Sequence, residues 1–224
     1  MGFRRTAVNR ILKGILDTLC VIDNREYFQT LSKCKPLIIM INHINFLEVP
    51  ILITHGYPMY LTGLMKLETW NNPFLAFLSN TYNAIPIDRD GAFKEAFQHA
   101  REALDNGYFV IIAPEGKRSI NGTLGKGKAG IIQLAIDADV PVLPVVHYGG
   151  ERIWENLRRF RRTNFCIKPG RPFRIKYDGR PDKEARGELL SEVMGQMARL
   201  LPVEMRGHYA QHVENECKYL EFLE

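Results

Sequence analysis

The chain has 224 residues, 46% hydrophobic and 25% charged, with a formal net charge of +5. That length supports one domain with a real core. No apolar run approaches the ~18 residues that argue for a membrane span, the amino terminus lacks the apolar core and cleavage site of a secretory signal, and the four cysteines (Cys20, Cys34, Cys166, Cys217) are scattered, which argues against a disulfide framework or a structural zinc site. The expectation is a chain made and kept in the cytoplasm, with reduced thiols.

Residues 1–22 read as an amphipathic helix, with Val8, Ile11, Leu12, Ile15, Leu16 and Leu19 at helical spacing and Arg4, Arg5, Arg10 and Lys13 on the flank. Such a helix can lie in a bilayer interface or pack on its own domain. Pro36 to Ile41 is a short β-branched run that reads as a buried strand ending at Asn42-His43. An apolar helix follows near Val49 to Thr54. Trp70 and Phe74 to Phe77 read as plain core, with an acyl-chain groove as the alternative. Tyr82 to Ile87 reads as a strand. Ala92 to Asp105 has Phe93, Ala96, Phe97, Ala100 and Leu104 on one helical face, and Gly107 suits its C-terminal cap.

Tyr108 to Ala113 reads as a strand and Ala129 to Ala138 as a helix. Val140 to Val146 reads as a strand that Pro141 and Pro144 push toward an edge or irregular place. Phe165 to Ile167 and Phe173 to Tyr177 suggest two short strands, and Glu184 to Leu200 a last long helix. The final dozen residues are acidic and read as a helix or loose tail. Strands alternating with helices give an α/β class. We therefore expect a single domain with a largely parallel or mixed sheet flanked by helices, preceded by an N-terminal amphipathic helix. The divisions expected are 1–30 for that helix, 31–205 for the domain and 206–224 for the tail.

Positive charge is concentrated. Arg158 to Lys176 holds eight Lys or Arg and no acid, and Met1 to Lys13 holds four and no acid. Such segments attract polyanions, whether nucleic acid, anionic lipid or phosphorylated substrates. A nucleic-acid module is one reading, but no recognised nucleic-acid motif accompanies the charge.

Three short segments carry chemistry. Asn42-His43-Ile44-Asn45-Phe46-Leu47-Glu48 follows a predicted strand. His43 can accept a proton near neutrality, and Glu48 can hold the other ring nitrogen if a turn lies between them. Asn45-x-x-Glu48 also has the form of a capping box. Ile85-Pro86-Ile87-Asp88-Arg89 places an arginine just past a strand, suited to a bidentate grip on phosphate or to an ordinary Asp88–Arg89 surface turn. Pro114-Glu115-Gly116-Lys117-Arg118-Ser119 follows the strand ending at Ala113, at the kind of edge where open α/β sheets place ligands. Gly122 to Lys128 mimics a phosphate-binding G-x-x-x-x-G-K loop, yet Ala129 stands where Ser or Thr would ligate magnesium, and no strand precedes Gly122. The other histidines (His55, His99, His147, His208 and His212) receive no catalytic role.

In order and spacing, these segments resemble the glycerolipid acyltransferase family of PlsC type, which includes 1-acylglycerol-3-phosphate acyltransferase. The family's N-H-x4-D is matched by Asn42-His43 and Glu48, and its proline–isoleucine–Asp–Arg-like turn by Ile85 to Arg89. Its E-G-T-R-S is matched by Glu115 to Ser119, and its apolar proline-bearing strand by Val140 to Val145. Glu48 stands where the family usually has Asp, and Lys117 replaces a threonine. The resemblance implies His43 as catalytic base with Glu48 as its partner, and Arg89, Glu115, Gly116, Arg118 and Ser119 around the acceptor's phosphate. It implies acyl-CoA or acyl-carrier protein as donor substrate, a lysophospholipid acceptor, no cofactor, no metal and no covalent acyl-enzyme.

The lipid substrates imply contact with a membrane surface, peripherally at the inner face of the cell membrane. Residues 1–22 and 158–176 are the candidate docking segments. Nucleic acid is not an expected partner. The alternatives are a different lipid acceptor, such as an ornithine lipid or glycolipid, or a lipid-binding homologue with weakened activity.

Overall fold

The structure, a computed structural model, describes residues 2–24, 27, 31, 35–88 and 93–223. Helix α1 spans Phe3–Leu19 and passes directly into strand β1, Cys20–Ile22. The chain continues through β2 (Ile38–Ile41), α2 (Glu48–His55), β3 (Leu61–Lys66), a 3-10 turn (Leu67–Asn71) and α3 (Pro73–Thr81). Next come β4 (Ile85–Ile87), α4 (Phe93–Asp105), β5 (Phe109–Ile112), α5 (Gly130–Ala138) and β6 (Val142–Tyr148). Then follow α6 (Ile153–Arg158), β7 (Thr163–Pro169), β8 (Phe173–Ile175), α7 (Lys183–Leu200) and β9 (Leu220–Phe222).

Among the described residues the strands form one mixed sheet in the order β1-β7-β6-β2-β5-β3-β4, with β8 beside β6 and β9 beside β8. The run from β6 to β4 is parallel. β7 runs antiparallel to β6, and β1 runs parallel to β7. Both faces of the centre are covered. Ile38 and Met40 enter one apolar core with residues of α4, α5 and α7, while Ile39 and Ile41 enter the other with residues of α1, α2 and α6. This explains the unbroken apolar run of β2, since side chains alternate across a strand and both directions lead into a core. Each of those four is at most 1% exposed, worth roughly 1.5–3 kcal/mol apiece.

The structure departs from the sequence expectations in five places. The first helix ends at Leu19, not near residue 22, and its apolar stripe divides. Leu16 is buried, whereas Ile11 and Ile15 are exposed. α1 is held to its domain by polar contacts instead. Buried Arg5 donates to the Leu61 carbonyl beneath the rings of Tyr60 and Tyr82, and Asn9 donates to the Thr54 carbonyl.

The second departure is β6, which is not an edge strand but lies between β7 and β2. Its Pro144 is tolerated because its carbonyl accepts from Gly170 N–H, where the chain turns from β7 to β8. The missing N–H faces that turn, so no bond to β2 is lost. Third, β3 occupies residues for which no element is expected, α3 occupies residues read as core or acyl-chain groove, and the strand expected from Tyr82 begins at Ile85. Fourth, Phe74, Leu75 and Phe77 of α3 are exposed, not core. Fifth, the acidic end is neither helix nor loose. Gly207–His212 is a 3-10 turn and β9 pairs antiparallel with β8.

Candidate active site

All the parallel strands point the same way, so the segments after β2, β4, β5 and β6 collect at one edge of the sheet. His43 follows β2 and Glu48 opens α2. His43 Nδ1 is hydrogen-bonded to Glu48 Oε1. The other carboxylate oxygen, Oε2, accepts from Asn45 N–H at 3.0 Å, and the Asn45 side chain accepts from Leu47 N–H at 2.7 Å. The pairing reading of Glu48 is thus realised with one oxygen, while the other holds the turn before α2, whose N-cap is Leu47 and carries no side-chain cap. Glu48 is 1% exposed. The His43 side chain is 24% exposed, which leaves its second nitrogen, Nε2, for a reacting group.

The His43 main chain is fixed from the neighbouring strand. Its N–H donates to Glu115 Oε1 at 2.9 Å, and its carbonyl accepts from Ser119 N–H at 2.7 Å. Glu115 Oε2 accepts from Gly125 N–H at 2.7 Å. Both Glu115 oxygens are therefore spent on backbone donors. Burial pushes the Glu115 carboxyl up, while the His43 and Gly125 N–H groups pull it down. Gly116 adopts φ +68° in the tight turn after Ala113, and the stem of Lys128 packs against it at 3.0–3.2 Å from where a Cβ would be. Only glycine meets both demands without strain.

The loop beyond is clasped by the C-terminal part of the chain. Leu124 N–H donates to the Met205 carbonyl, and its own carbonyl accepts from His208 N–H. Gly127 N–H donates to the Tyr209 hydroxyl. The resemblance of Gly122 to Lys128 to a phosphate loop ends here, since a Cβ at Gly127 would meet Met194 Sδ at 2.7 Å.

Arg118 is exposed and has no hydrogen bond or ion pair among the described residues. Arg89 lies outside the described residues, so only its place just after β4 is known. Among the described residues, no group of three or more His, Cys, Asp or Glu side chains is placed to hold a metal ion. Beside His43 opens an apolar pocket of about 310 Å³, lined by Leu64, Ile87, Phe93, Phe97, Ile112 and Ile131, with Gly116, Lys128 and Gly130 at its wall. A more open groove of about 940 Å³ lies between α7 and residues 212–218, and none of its lining residues belongs to the four sequence blocks.

The sequence reading missed the pocket, whose wall is drawn from six separate segments, and it missed the surroundings of Asn42. Asn42 pairs with the His147 backbone in both directions, N–H to Oδ1 and Nδ2 to carbonyl, each at 2.9 Å. Only knowledge that β6 neighbours β2 would have brought these two residues together. Of the eight cations from Arg158 to Lys176, several are already engaged. Arg162 donates to the Asp17 and Cys20 carbonyls, Arg159 pairs with Glu155, Arg174 with Asp139, and Lys176 with Glu221.

Residues 21–148 match the family described as Acyltransferase. The chain is 33% identical over 120 residues to the 1-acyl-sn-glycerol-3-phosphate acyltransferase of Pseudomonas aeruginosa, covering 52% of this chain and 46% of that protein. It is 28% identical over 171 residues to the Cocos nucifera protein of the same name, covering 75% of this chain and 51% of that one. The chain thus spans about half the length of the curated relatives it matches. The crystal structure of the 1-acyl-sn-glycerophosphate (LPA) acyltransferase, PlsC, from Thermotoga maritima superposes with a TM-score of 0.60 at 22% identity, over 97% of this chain and 86% of that one. That likeness speaks for the fold.

Proposed function

The chain belongs to the acyltransferase family, and on that footing we propose that it transfers a fatty acyl chain from acyl-CoA or acyl-carrier protein to the free hydroxyl of a lysophospholipid. The acceptor proposed is 1-acyl-glycerol-3-phosphate, giving phosphatidic acid, as the names of its relatives suggest. The observation that carries this reading is the His43–Glu48 hydrogen bond at the ligand edge of the sheet, with an apolar pocket beside the histidine.

In the proposed reaction the acceptor hydroxyl donates to His43 Nε2. As the hydroxyl oxygen attacks the thioester carbonyl, its proton passes to Nε2. Glu48, hydrogen-bonded at Nδ1, fixes the tautomer and stabilises the imidazolium that forms. The tetrahedral intermediate collapses by breaking the C–S bond, and the departing sulfur takes the proton back from His43. The step needs no metal, cofactor or covalent acyl-enzyme. The pocket suits an acyl chain. Arg118, and Arg89 by its sequence position, supply cations for the acceptor's phosphate. Glu115 contributes as the bracket that holds His43 and Gly125, and Gly116 and Ser119 shape the same loop.

Contact with a bilayer is part of the proposal, and no helix among the described residues is long and apolar enough to cross one. The surface best suited to it is α3 with the turn before it. Leu67 is 52%, Phe74 63%, Leu75 43% and Phe77 45% exposed, and residues 69–87 carry no charge. Exposed aromatic and aliphatic side chains on an uncharged helix suit an interface of headgroups and acyl chains. The 3-10 turn follows β3 directly, at the edge where His43 lies. The test of the whole reading is a mass-spectrometric assay with a panel of lysolipids and acyl thioesters. Acylated product from the wild type, absent with a folded His43→Ala variant, is expected. Wild-type turnover in that variant would overturn the role of His43.

A further inference from the structure

The histidine passed over in the sequence, His147, lies beneath the pair. It is 2% exposed and is the next-to-last residue of β6. Its Nε2 is 2.6 Å from the Asn42 carbonyl and 3.8 Å from Glu48 Oε2. A carbonyl can only accept, so the proton is on Nε2 and the ring is the neutral tautomer with a bare Nδ1. That Nδ1 is buried with no partner among the described residues. Phe165 stacks on the ring at 5.3 Å between centroids.

The Asn42 carbonyl belongs to the peptide whose N–H is that of His43. One end of that peptide plane is thus gripped by His147 Nε2–H, and the other by Glu115 Oε1. The next carbonyl, that of His43 itself, is gripped by Ser119 N–H. Glu48 Oε2 lies 3.8 Å from the same nitrogen, beyond hydrogen-bond reach, so the single Nε2–H is spent on the Asn42 carbonyl. A buried polar ring left with one lone pair unsatisfied costs stability, and the geometry says what it does there. A leucine of similar bulk would fill the space without that cost, but would leave the Asn42 carbonyl without its donor.

We propose that His147 is a positioning residue for the reaction, which aligns the His43 backbone through the Asn42 carbonyl and so keeps the His43 ring on Glu48. The inference rests on the acyl-transfer reading for its kinetic arm, and its structural arm is independent of that reading. The charged or titratable groups that face His147 are Glu48 of α2, His43 from the loop after β2, and Glu151 from the turn after β6.

The experiment compares wild type, His147→Leu and His147→Gln, because the Gln amide nitrogen can stand near the place of Nε2. Melting curves first establish that each variant folds. For the Leu variant the expected result is a kcat lowered about 10- to 100-fold, corresponding to one buried carbonyl left without its donor, with the acceptor KM within twofold. The Gln variant is expected to recover most of kcat.

In parallel, proton NMR follows the downfield resonance of the His43 Nδ1–H bonded to Glu48. It is expected in wild type and Gln and shifted or broadened in Leu, whether or not the right acceptor lipid is in hand. Absence of turnover in the wild type with this pattern intact would count against acyl transfer and for the positioning role. A folded Leu variant with the wild-type resonance and kcat overturns the inference. So do Leu and Gln variants impaired alike, which would mean that His147 only packs.

Discussion

Shortening Glu48 to aspartate tests the central geometry of the site. In this chain one carboxylate bridges two tasks, with Oε1 on His43 Nδ1 and Oε2 on Asn45 N–H at 3.0 Å. Glu48→Asp withdraws the carboxylate by one carbon–carbon bond, about 1.5 Å. A 3.0 Å hydrogen bond stretched by that much is no longer a hydrogen bond. With the α2 backbone held in place, aspartate keeps one contact and loses the other. If it keeps Asn45, the lost charged hydrogen bond to His43 is worth about 1.5–3 kcal/mol, which lowers kcat about 10- to 150-fold. If it keeps His43, the buried Asn45 N–H loses its acceptor, at a cost of about 1–3 kcal/mol, read as a lower melting temperature with kcat largely preserved. Paired measurements of kcat and thermal stability distinguish these. An aspartate variant with both kcat and stability unchanged would refute the reasoning, because it would show that the extra methylene bridges nothing.

Three further outcomes are expected. Gly130→Ala would bring a methyl within 2.5 Å of Phe97 Cζ at the pocket wall, so Phe97 must swing into the cavity. Activity should shift toward shorter acyl donors, and an unchanged chain-length profile would argue that the chain lies elsewhere. Phe74→Asp combined with Phe77→Asp should abolish flotation with anionic vesicles while sparing turnover of a short-chain, water-soluble acceptor; vesicle binding that survives both changes would remove α3 as the docking surface. The last concerns pH. Burial holds the His147 imidazole below its ordinary 6.5, against the pull of Glu48 and the Asn42 carbonyl. The unfolded chain therefore binds more protons, and stability falls as pH drops below 6.5. Denaturant titrations across that range should show a gentler fall for His147→Gln, and parallel curves would refute the assignment.

The parts of this fold that can be read from sequence are those in which one strand or helix carries its own pattern. The β2 run, the α4 face and the Asp182-capped α7 are of that kind. β3 escaped because Gly63 interrupts Leu61–Lys66. Its reason is lateral, since a Cβ there would lie 3.2 Å from the Ile111 carbonyl of the neighbouring strand. α3 did leave a local sign, Asn72 before Pro73, and the Asn72 side chain accepts from Phe74 and Leu75 N–H in the manner of a helix cap. Its exposed aromatics masked that sign, because they resemble core. The same limit governs the site. His43 and Glu48 are five residues apart and could be paired on paper, whereas His147 reaches Asn42 across 105 residues of sequence. The resemblance sets Glu115 around the acceptor's phosphate, although a carboxylate there can also anchor the loop, and nothing local names His43 and Gly125 as the partners of its two oxygens.

The clasp on the loop after Glu115 has a consequence for how the protein is made. Gly127 and the tyrosine that holds it are 82 residues apart in sequence. At 5–20 residues per second on the ribosome, Gly127 is joined to the chain about 4–16 s before Tyr209. β2, β5 and β6 can associate in that interval, with His43 and Glu48 already side by side. The floor of the site can therefore be laid during translation, but the loop is fastened only after Met205, His208 and Tyr209 have left the exit tunnel. A nascent chain arrested before Met205 should present this loop to proteases, and completing the chain should close it.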